Sequence, residues 1–241
     1  KYLIPLADLL YSRGFDIVRI HPIDHGDSEH LNEDFFRATD IQALIEVVKY
    51  LGQKFSDNEI HLIGFSLGGN ISLRISASEE INFLKKTIVL SPVINPENSM
   101  NAMDKNSWIL RKYFIDKWKK TIRRKIDLYN INAKEALKHK NIKSLTEYFT
   151  ENFTPHSHVR DLFSAYAVTQ ETLNNINHDT FIYSAYDDPC VPIEPLLELE
   201  ETTNVEFNAL DYGGHCGFID DFRFTSSVYH EISKKLESNT H

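Results

Sequence analysis

Short apolar runs alternate along the chain with longer stretches in which apolar residues recur at helical spacing. The runs are rich in β-branched residues and end near glycine, proline or serine, which is typical of buried strands. Five such runs predict strands at residues 15–21, 59–64, 87–91, 180–184 and 205–210. The periodic stretches predict helices at residues 3–14, 34–54, 66–78 and 222–236. Strands that alternate with helices favour a mostly parallel α/β sheet with helices on both faces.

Residues 95–177 break this alternation, because they contain no convincing strand and have a helical pattern throughout. Their charge also differs from that of the rest. Residues 105–143 carry 13 Lys or Arg against 3 Asp or Glu, whereas the whole chain has a formal net charge of −9. We interpret residues 95–177 as a helical lid inserted into a single domain that comprises residues 1–241.

One helix of this insertion is both basic and amphipathic. Its apolar residues recur every four positions: Leu110, Phe114, Trp118, Ile122 and Ile126. The cations fall largely on other sides of the helix: Arg111, Lys112, Lys117, Lys119, Lys120, Arg123, Arg124 and Lys125. Either the apolar stripe packs on the core while the cations face water, or the helix makes a peripheral contact with an anionic membrane. We favour packing, because an apolar stripe usually marks the core.

Composition narrows the possible functions. A chain of 241 residues that is 41% hydrophobic can form one sizeable core, and its net negative charge argues against nucleic-acid binding. The only cysteines, Cys190 and Cys216, form neither a disulfide framework nor a metal-binding motif, which favours reduced thiols and a cytoplasmic location. The sequence begins at Lys1 and not at a methionine, and we therefore expect further residues upstream.

The strongest chemical signal is the segment Gly64-Phe-Ser66-Leu67-Gly68-Gly, which lies between a predicted strand and a predicted helix. It matches the G-x-S-x-G nucleophile elbow, in which a sharp turn raises the serine hydroxyl above the sheet. Small residues on either side allow neighbouring chain segments to approach. The N–H of Leu67 would lie at a helix N-terminus, where it can stabilise an oxyanion.

A serine nucleophile needs a base, and the base needs an acid that orients it. In a fold of this kind the chain order is serine, then Asp or Glu, then histidine. His215 follows the last predicted strand, with Gly213 and Gly214 before it and Gly217 after it, which favours it as the base. Two adjacent aspartates compete for the acid. We favour Asp188 because it immediately precedes a Pro-Cys-Val-Pro run, and Asp187 would then be a loop or cap residue.

Three segments resemble the YheT-like branch of the α/β-hydrolases: Gly64-Phe-Ser-Leu-Gly-Gly-Asn70, Ser184-Ala-Tyr-Asp-Asp-Pro189 and Gly213-Gly-His-Cys-Gly-Phe218. The resemblance implies an eight-stranded hydrolase sheet, a lid between strands six and seven, and esterase chemistry without a cofactor or metal. It also implies a triad of Ser66, Asp188 and His215. Its N-terminal strands have no counterpart before residue 3, so we expect the sequence to be incomplete at that end.

These patterns predict a serine esterase that cleaves carboxylic esters through an acyl-enzyme on Ser66. The expected partner is a small-molecule or lipid-like acyl ester. An acyltransferase, a thioesterase or a phospholipase could use the same triad. A non-catalytic binding protein on a hydrolase fold is the remaining alternative, and the presence of all three triad residues argues against it.

Overall fold

The computed structural model describes residues 3–106, 108–220 and 226–238. They divide into two compact units. The first, which we call the sheet unit, comprises residues 1–18, 41–94 and 168–241. The second, the helical unit, comprises residues 19–40 and 95–167. The expectation of one domain with an insertion at about residues 95–177 stays a prediction.

Strands and helices alternate in the sheet unit, and helices dominate the helical unit. The helices are α1 (Leu3–Ser12), α2 (Gln42–Lys54), α3 (Leu67–Ser76), α4 (Pro96–Asn106), α5 (Trp108–Tyr129), α6 (Ile142–Phe153), α7 (Val159–Tyr166), α8 (Gln170–Asn174), α9 (Glu194–Leu197) and α10 (Ser227–Glu237). The strands are β1 (Ile60–Phe65), β2 (Leu84–Leu90), β3 (Asp179–Ala185) and β4 (Val205–Leu210). The helix that we predicted at residues 222–236 is thus present from Ser227, and residues 222–225 lie outside the described part of the chain.

The four strands form one parallel sheet in the order β1-β2-β3-β4. Four of the five predicted strands are thereby confirmed, with ends shifted by up to three residues. Phe65 pairs with Leu90, and Leu90 with Tyr183, so that the carboxyl ends of these strands meet at one edge. This register brings the segments that follow β1 and β3 out of the sheet at the same edge.

Successive residues of the central strand β2 face opposite sides of the sheet, as the pleat requires. Ile88 and Leu90 pack into a core that includes residues of α1 and α10. Val89, between them, packs into a second core with Leu73 of α3 and Ile182 of β3. Both faces of the sheet are therefore covered, which confirms the predicted α/β class.

The predicted strand at residues 15–21 is wrong. This segment is irregular, and its Ile17 and Val18 side chains are exposed to solvent. A strand exists only through hydrogen bonds to a neighbouring strand, and none of the described strands pairs with these residues. Its apolar content alone therefore does not make it a strand, and the described residues form four strands where the resemblance implied eight.

The helix predicted at residues 34–54 begins later, at Gln42. Two residues before it, Asp34 and Phe36, are instead hydrogen-bonded through their backbone to side chains of the helical unit. The amide of Phe36 donates to the Asp24 carboxylate, and Lys125 donates to the carbonyls of Asn32 and Asp34. These hydrogen bonds use backbone groups that a helix would need for its own hydrogen bonds. The helical spacing of apolar residues therefore did not reveal where α2 begins.

The helical unit contains α4 to α7, which confirms the helical pattern of the insertion within its described residues. The predicted apolar stripe of α5 is only partly right. Ile122 is fully buried, and Trp118 and Ile126 pack beside it, but Ile115 and Lys125 are also buried. A spacing of four residues drifts by about 40° per step around a helix, so the predicted stripe winds away from the buried face.

Lys125 was expected among the solvated cations and is instead completely buried. Its Nζ lies 2.7 Å from Oδ1 of Asp24, which has also little exposure. Arg124, its neighbour, forms an ion pair with Glu29 at 3.1 Å and with Asp27 at 2.6 Å. These pairs hold residues 24–29 against α5. Among the described helices, none combines the length and apolar character that are needed to cross a bilayer.

Candidate active site

Ser66 occupies the turn between β1 and α3 in a strained conformation, with φ 54° and ψ −121°. Such a conformation costs a non-glycine residue about 1–3 kcal/mol, so the surroundings must enforce it. The Ser66 amide donates to the carbonyl of Leu90 at 2.9 Å. Its carbonyl accepts from the amides of Asn70 and Val93 at 3.1 and 3.2 Å. Backbone bonds therefore lock the turn to β2 and to the first turn of α3.

Two glycines of the elbow are required by close approach. A Cβ on Gly64 would lie 2.4 Å from Ser72 Oγ and 2.5 Å from the carbonyl oxygen of Gly68. A Cβ on Gly69 would lie 2.9 Å from Cβ of Pro92. Gly68 differs, because a Cβ there would meet no atom within 4 Å. The expectation that the glycines on both sides of Ser66 allow close approach is therefore right for Gly64 and wrong for Gly68. After Ser66, it is Gly69 that allows the close approach.

Leu67 is the first residue of α3, so its amide belongs to the free N-terminal turn of that helix. The N–H groups of such a turn point away from the helix and carry partial positive charge. This position matches the sequence prediction for an oxyanion donor beside Ser66.

His215 lies on the loop after β4, and two glycines shape that loop. A Cβ on Gly213 would lie 2.5 Å from the ring of Phe218, and Gly214 has φ +54°. Three side chains from elsewhere in the chain, those of Asp187, Ser91 and Tyr229, bind the loop backbone. Asp187 accepts from the amides of both glycines at 2.8 Å.

Further along the same loop, Cys216 is bonded at both of its backbone groups. Its amide donates to Ser91 Oγ at 3.2 Å, and its carbonyl accepts from the Tyr229 hydroxyl of α10 at 3.1 Å. Sequence reasoning did not single out Ser91 or Tyr229 for this task. Nothing in the local pattern marks them, because Ser91 follows β2 and Tyr229 lies on α10, both outside the loop that they bind.

The structure brings Ser66, Asp188 and His215 together. Nε2 of His215 lies 3.0 Å from Oγ of Ser66, and Nδ1 lies 2.9 Å from Oδ2 of Asp188. With Nδ1 protonated, its N–H donates to the carboxylate and Nε2 accepts the serine hydroxyl. Asp187 bonds instead to the loop that carries His215.

Asp188 is buried, and backbone amides fix its second carboxylate oxygen. Its Oδ1 accepts from the amides of Cys190 and Val191 at 2.8 and 2.9 Å. The carboxylate is thus fixed by the backbone that follows it, and Oδ2 faces the imidazole. The Pro-Cys-Val-Pro run supplies those amides, so the sequence feature that favoured Asp188 has a structural counterpart.

The environment of His215 favours its charged form. Burial opposes protonation of the imidazole, but the hydrogen bond to the Asp188 carboxylate and the contact with Cys216 outweigh it and raise the pKa of His215 above its ordinary value of 6.5. Sγ of Cys216 lies 3.8 Å from Nε2. An imidazolium held by a carboxylate is the species that would form if His215 took a proton from Ser66.

Asp188, Cys190 and His215 also offer three potential metal ligands, whose atoms lie within 4.8 Å of one another. Burial raises the pKa of the Cys190 thiol to about 12, so the thiol keeps its proton. Asp188 and His215 are hydrogen-bonded to each other, which is an arrangement suited to proton transfer.

Comparison with known proteins gives a family and a set of distant relatives. The family model described as alpha/beta hydrolase fold matches residues 1–222. The chain is 23% identical over 194 residues to Abhydrolase domain-containing protein 2 of Drosophila melanogaster, covering 71% of this chain and 48% of that protein. It is 24% identical over 179 residues to the putative esterase YheT of Escherichia coli, covering 71% of this chain and 52% of that protein.

The predicted resemblance to the YheT-like branch is confirmed by the second of these similarities. The chain spans about half the length of the curated relatives that it matches. Among solved structures, an esterase of Pyrococcus furiosus superposes with a TM-score of 0.61 at 17% identity, covering 98% of this chain and 76% of that one. At this identity the structural likeness concerns the fold.

Proposed function

Because the chain belongs to the alpha/beta hydrolase fold family, we propose that it is a serine esterase that hydrolyses carboxylic esters, with Ser66, His215 and Asp188 as its triad. The observation that carries the proposal is the continuous relay from Oγ of Ser66 to Nε2 of His215 at 3.0 Å and from Nδ1 to Asp188 at 2.9 Å. These distances suit proton transfer to a general base that a carboxylate orients.

In the first half-reaction, Oγ of Ser66 attacks the ester carbonyl carbon while Nε2 of His215 takes the hydroxyl proton. The carbonyl oxygen becomes an oxyanion, to which the Leu67 N–H donates a hydrogen bond. The C–O bond to the alcohol then breaks, and the imidazolium returns its proton to the departing alkoxide. Asp188 stabilises the imidazolium throughout and does not itself take the proton.

In the second half-reaction, water attacks the acyl carbon of the Ser66 ester, and His215 again accepts the proton. Collapse of the tetrahedral intermediate breaks the bond to Oγ, which recovers its proton from His215. The products are a carboxylic acid and the free enzyme. Buried Asp188, fixed by two backbone amides, keeps the imidazole in the tautomer that both steps require.

An acyltransferase, a thioesterase or a phospholipase would use the same acyl-enzyme and differ in acceptor or leaving group. The names of the relatives favour ester hydrolysis, since the Escherichia coli protein is called a putative esterase. A cytoplasmic location stays a prediction, with Cys190 and Cys216 as buried free thiols.

Labelling with a fluorophosphonate probe tests the proposal. We expect the wild-type protein to be labelled once, at Ser66, and the Ser66→Ala variant to resist labelling and to lose ester hydrolysis while keeping its circular dichroism spectrum. A panel of p-nitrophenyl esters, thioesters and phospholipids then separates the acyl-enzyme reactions. Undiminished hydrolysis by folded Ser66→Ala would refute the proposed nucleophile.

A further inference from the structure

The exposed side of α5 combines cations with large apolar side chains. Trp108, Ile109 and Tyr113 are 67%, 61% and 50% exposed, although side chains of this kind are usually covered. They lie on the first turns of the helix. These are not the residues of the predicted apolar stripe, whose central member Ile122 is buried.

Helical spacing places this apolar group on the same side as the cations. Trp108, Lys112, Lys119 and Arg123 are separated by four, seven and four residues, so they share one face. Ile109, Tyr113, Lys117 and Lys120 form the adjacent row. Nζ of Lys117 lies 4.7 Å from the ring centre of Tyr113, which joins the apolar and basic parts of the surface.

A shallow groove of about 320 Å³ opens on this face. Trp108 lines it together with four cations, Arg111, Lys112, Lys119 and Lys140. Its one acidic neighbour, Asp116, accepts from Lys112 at 2.7 Å. Even with that pair cancelled, the groove keeps an excess of positive charge.

We propose that this face of α5, with Trp108, Ile109 and Tyr113 at one end and the lysine-lined groove beside them, binds peripherally to an anionic phospholipid bilayer, with a phosphate-bearing headgroup in the groove. Aromatic and aliphatic side chains beside cations are typical of helices that lie in the membrane interface. The chain as a whole carries −9, so an anionic surface attracts this face and repels the rest. The proposal is independent of the triad.

Trp108 itself can report the contact. The chain has two tryptophans, and the Trp118→Phe variant leaves Trp108 as the sole one. We expect its fluorescence to shift to shorter wavelength with phosphatidylcholine vesicles that contain phosphatidylserine, and not with phosphatidylcholine vesicles alone. Sodium chloride should reverse the shift, because salt screens exposed charges. No shift at low salt, or an equal shift with neutral vesicles, would overturn the proposal.

A groove variant and a matched control test the cations. Lys112, Lys119 and Lys140 changed together to Gln should weaken vesicle binding by about 100-fold in a sedimentation assay, because each lysine near an anionic surface contributes about fivefold. Lys134, Lys138 and Lys143 are exposed lysines of the same unit outside the groove, so their triple change to Gln removes equal charge. Binding should survive that change, and an equal loss in both variants would contradict the assignment.

An apolar pair of variants tests the aromatic end. Trp108→Ala should weaken binding by about tenfold, from the lost burial of its ring in the interface. Tyr11→Ala removes a side chain that is 71% exposed on α1 and should leave binding unchanged. Equal binding by Trp108→Ala and the wild type would overturn the aromatic part of the face.

Soluble competitors identify the partner class. Glycerophosphoserine and polyglutamate, at the phosphate or charge concentration of the vesicles, should not displace the bound protein, because neither offers an apolar interface. Displacement by glycerophosphoserine would assign the groove to free phosphate compounds, and displacement by polyglutamate would assign the face to acidic proteins. The Ser66→Ala variant should bind vesicles like the wild type, which separates this test from that of catalysis.

Discussion

Oγ of Ser66 and Nε2 of His215 lie 3.0 Å apart, yet different kinds of contact fix the positions of the two residues. The turn at Ser66 is held by main-chain hydrogen bonds and by the absence of side chains at Gly64 and Gly69. The loop at His215 is held mainly by side chains that reach its backbone, from Asp187 and Tyr229 among others. Ser66 is therefore placed by main-chain hydrogen bonds and steric exclusion, and His215 by polar side-chain contacts that a mutation can remove.

This difference has consequences for mutation. Close packing at Gly64 and Gly69 leaves no room for an added atom, so a substitution there should disturb the turn strongly. Placement by polar side chains can be weakened one bond at a time, because each bond contributes about 1 kcal/mol. Substitutions around His215 should therefore produce graded changes in rate, whereas substitutions at Gly64 should affect both rate and stability.

The largest effect is expected at Asp188, the polar contact that reaches the imidazole of His215 itself. Asp188→Asn should lower kcat for a p-nitrophenyl ester by about 10⁴-fold, because an amide favours the wrong imidazole tautomer. Folding should persist, since the Asn oxygen can still accept from Cys190 and Val191. Asp187→Asn retains an acceptor for the two glycine amides and serves as the control, with a far smaller loss. The opposite ranking would show that Asp187 is the acid.

The second largest effect is expected from a substitution that removes the close packing of the turn at Ser66. Gly64→Ala places a methyl group against Ser72 and the Gly68 carbonyl, which should lower the free energy of unfolding by about 1–3 kcal/mol. The displaced elbow should also lose about 100-fold in kcat. Urea unfolding and initial rates measure the two effects.

Gly68→Ala is the matched control for that variant, because its Cβ meets open space. In a helix this change should leave stability unaltered or raise it by about 0.4–1 kcal/mol. Similar destabilisation by both alanines would mean that the elbow glycines are not distinguished by steric contact.

A single polar contact of the His215 loop should matter less. Tyr229→Phe removes the hydroxyl that donates to the Cys216 carbonyl and should lower kcat by about five- to tenfold, with little change in KM. Tyr183→Phe removes a hydroxyl from the same core, where it donates to Glu231 at 2.9 Å. That variant controls for stability and should keep its kcat. A parallel fall in both would reduce Tyr229 to a structural role.

The smallest expected effect is a displaced pH profile. Only neutral His215 can accept the proton of Ser66, so kcat/KM should rise with pH through a midpoint above 6.5, because the Asp188 contact raises the pKa of His215. Asp188→Asn should move the midpoint of its residual activity to lower pH. The same raised pKa stabilises the fold below pH 6.5, and this contribution is lost as pH rises through the folded-state pKa. A midpoint that does not move in the variant would contradict the Asp188 contact.

Much of the sheet unit could be predicted from the sequence because its elements are short, strongly apolar and bounded by turn residues. The elbow at residues 64–69 was recognisable from its glycines and from the strand and helix beside it. The order of Ser66, Asp188 and His215 along the chain was equally informative. These features depend on residues that are close together in the chain or on their order, and both can be recognised in a single sequence.

The failures concern contacts between residues that are far apart in sequence. Residues 15–21 have the composition of a strand, but composition does not show whether a neighbouring strand is present. Lys125 looks like a surface cation on α5, and only the approach of Asp24 and two carbonyls makes its burial favourable. Tyr229 and Ser91 bind the loop of His215 for the same reason.

Cys190 follows Asp188 by two residues and Cys216 follows His215 directly, and both thiols are buried. Each therefore marks one of the two loops that carry the acid and the base. A thiol reagent such as Ellman's reagent can react only when a loop opens, since the reagent must reach the sulfur. The natural cysteines thus provide a kinetic assay for the opening of either loop without an introduced thiol. In Cys190→Ser the remaining signal would come from Cys216 on the His215 loop, and in Cys216→Ser it would come from Cys190 on the Asp188 loop.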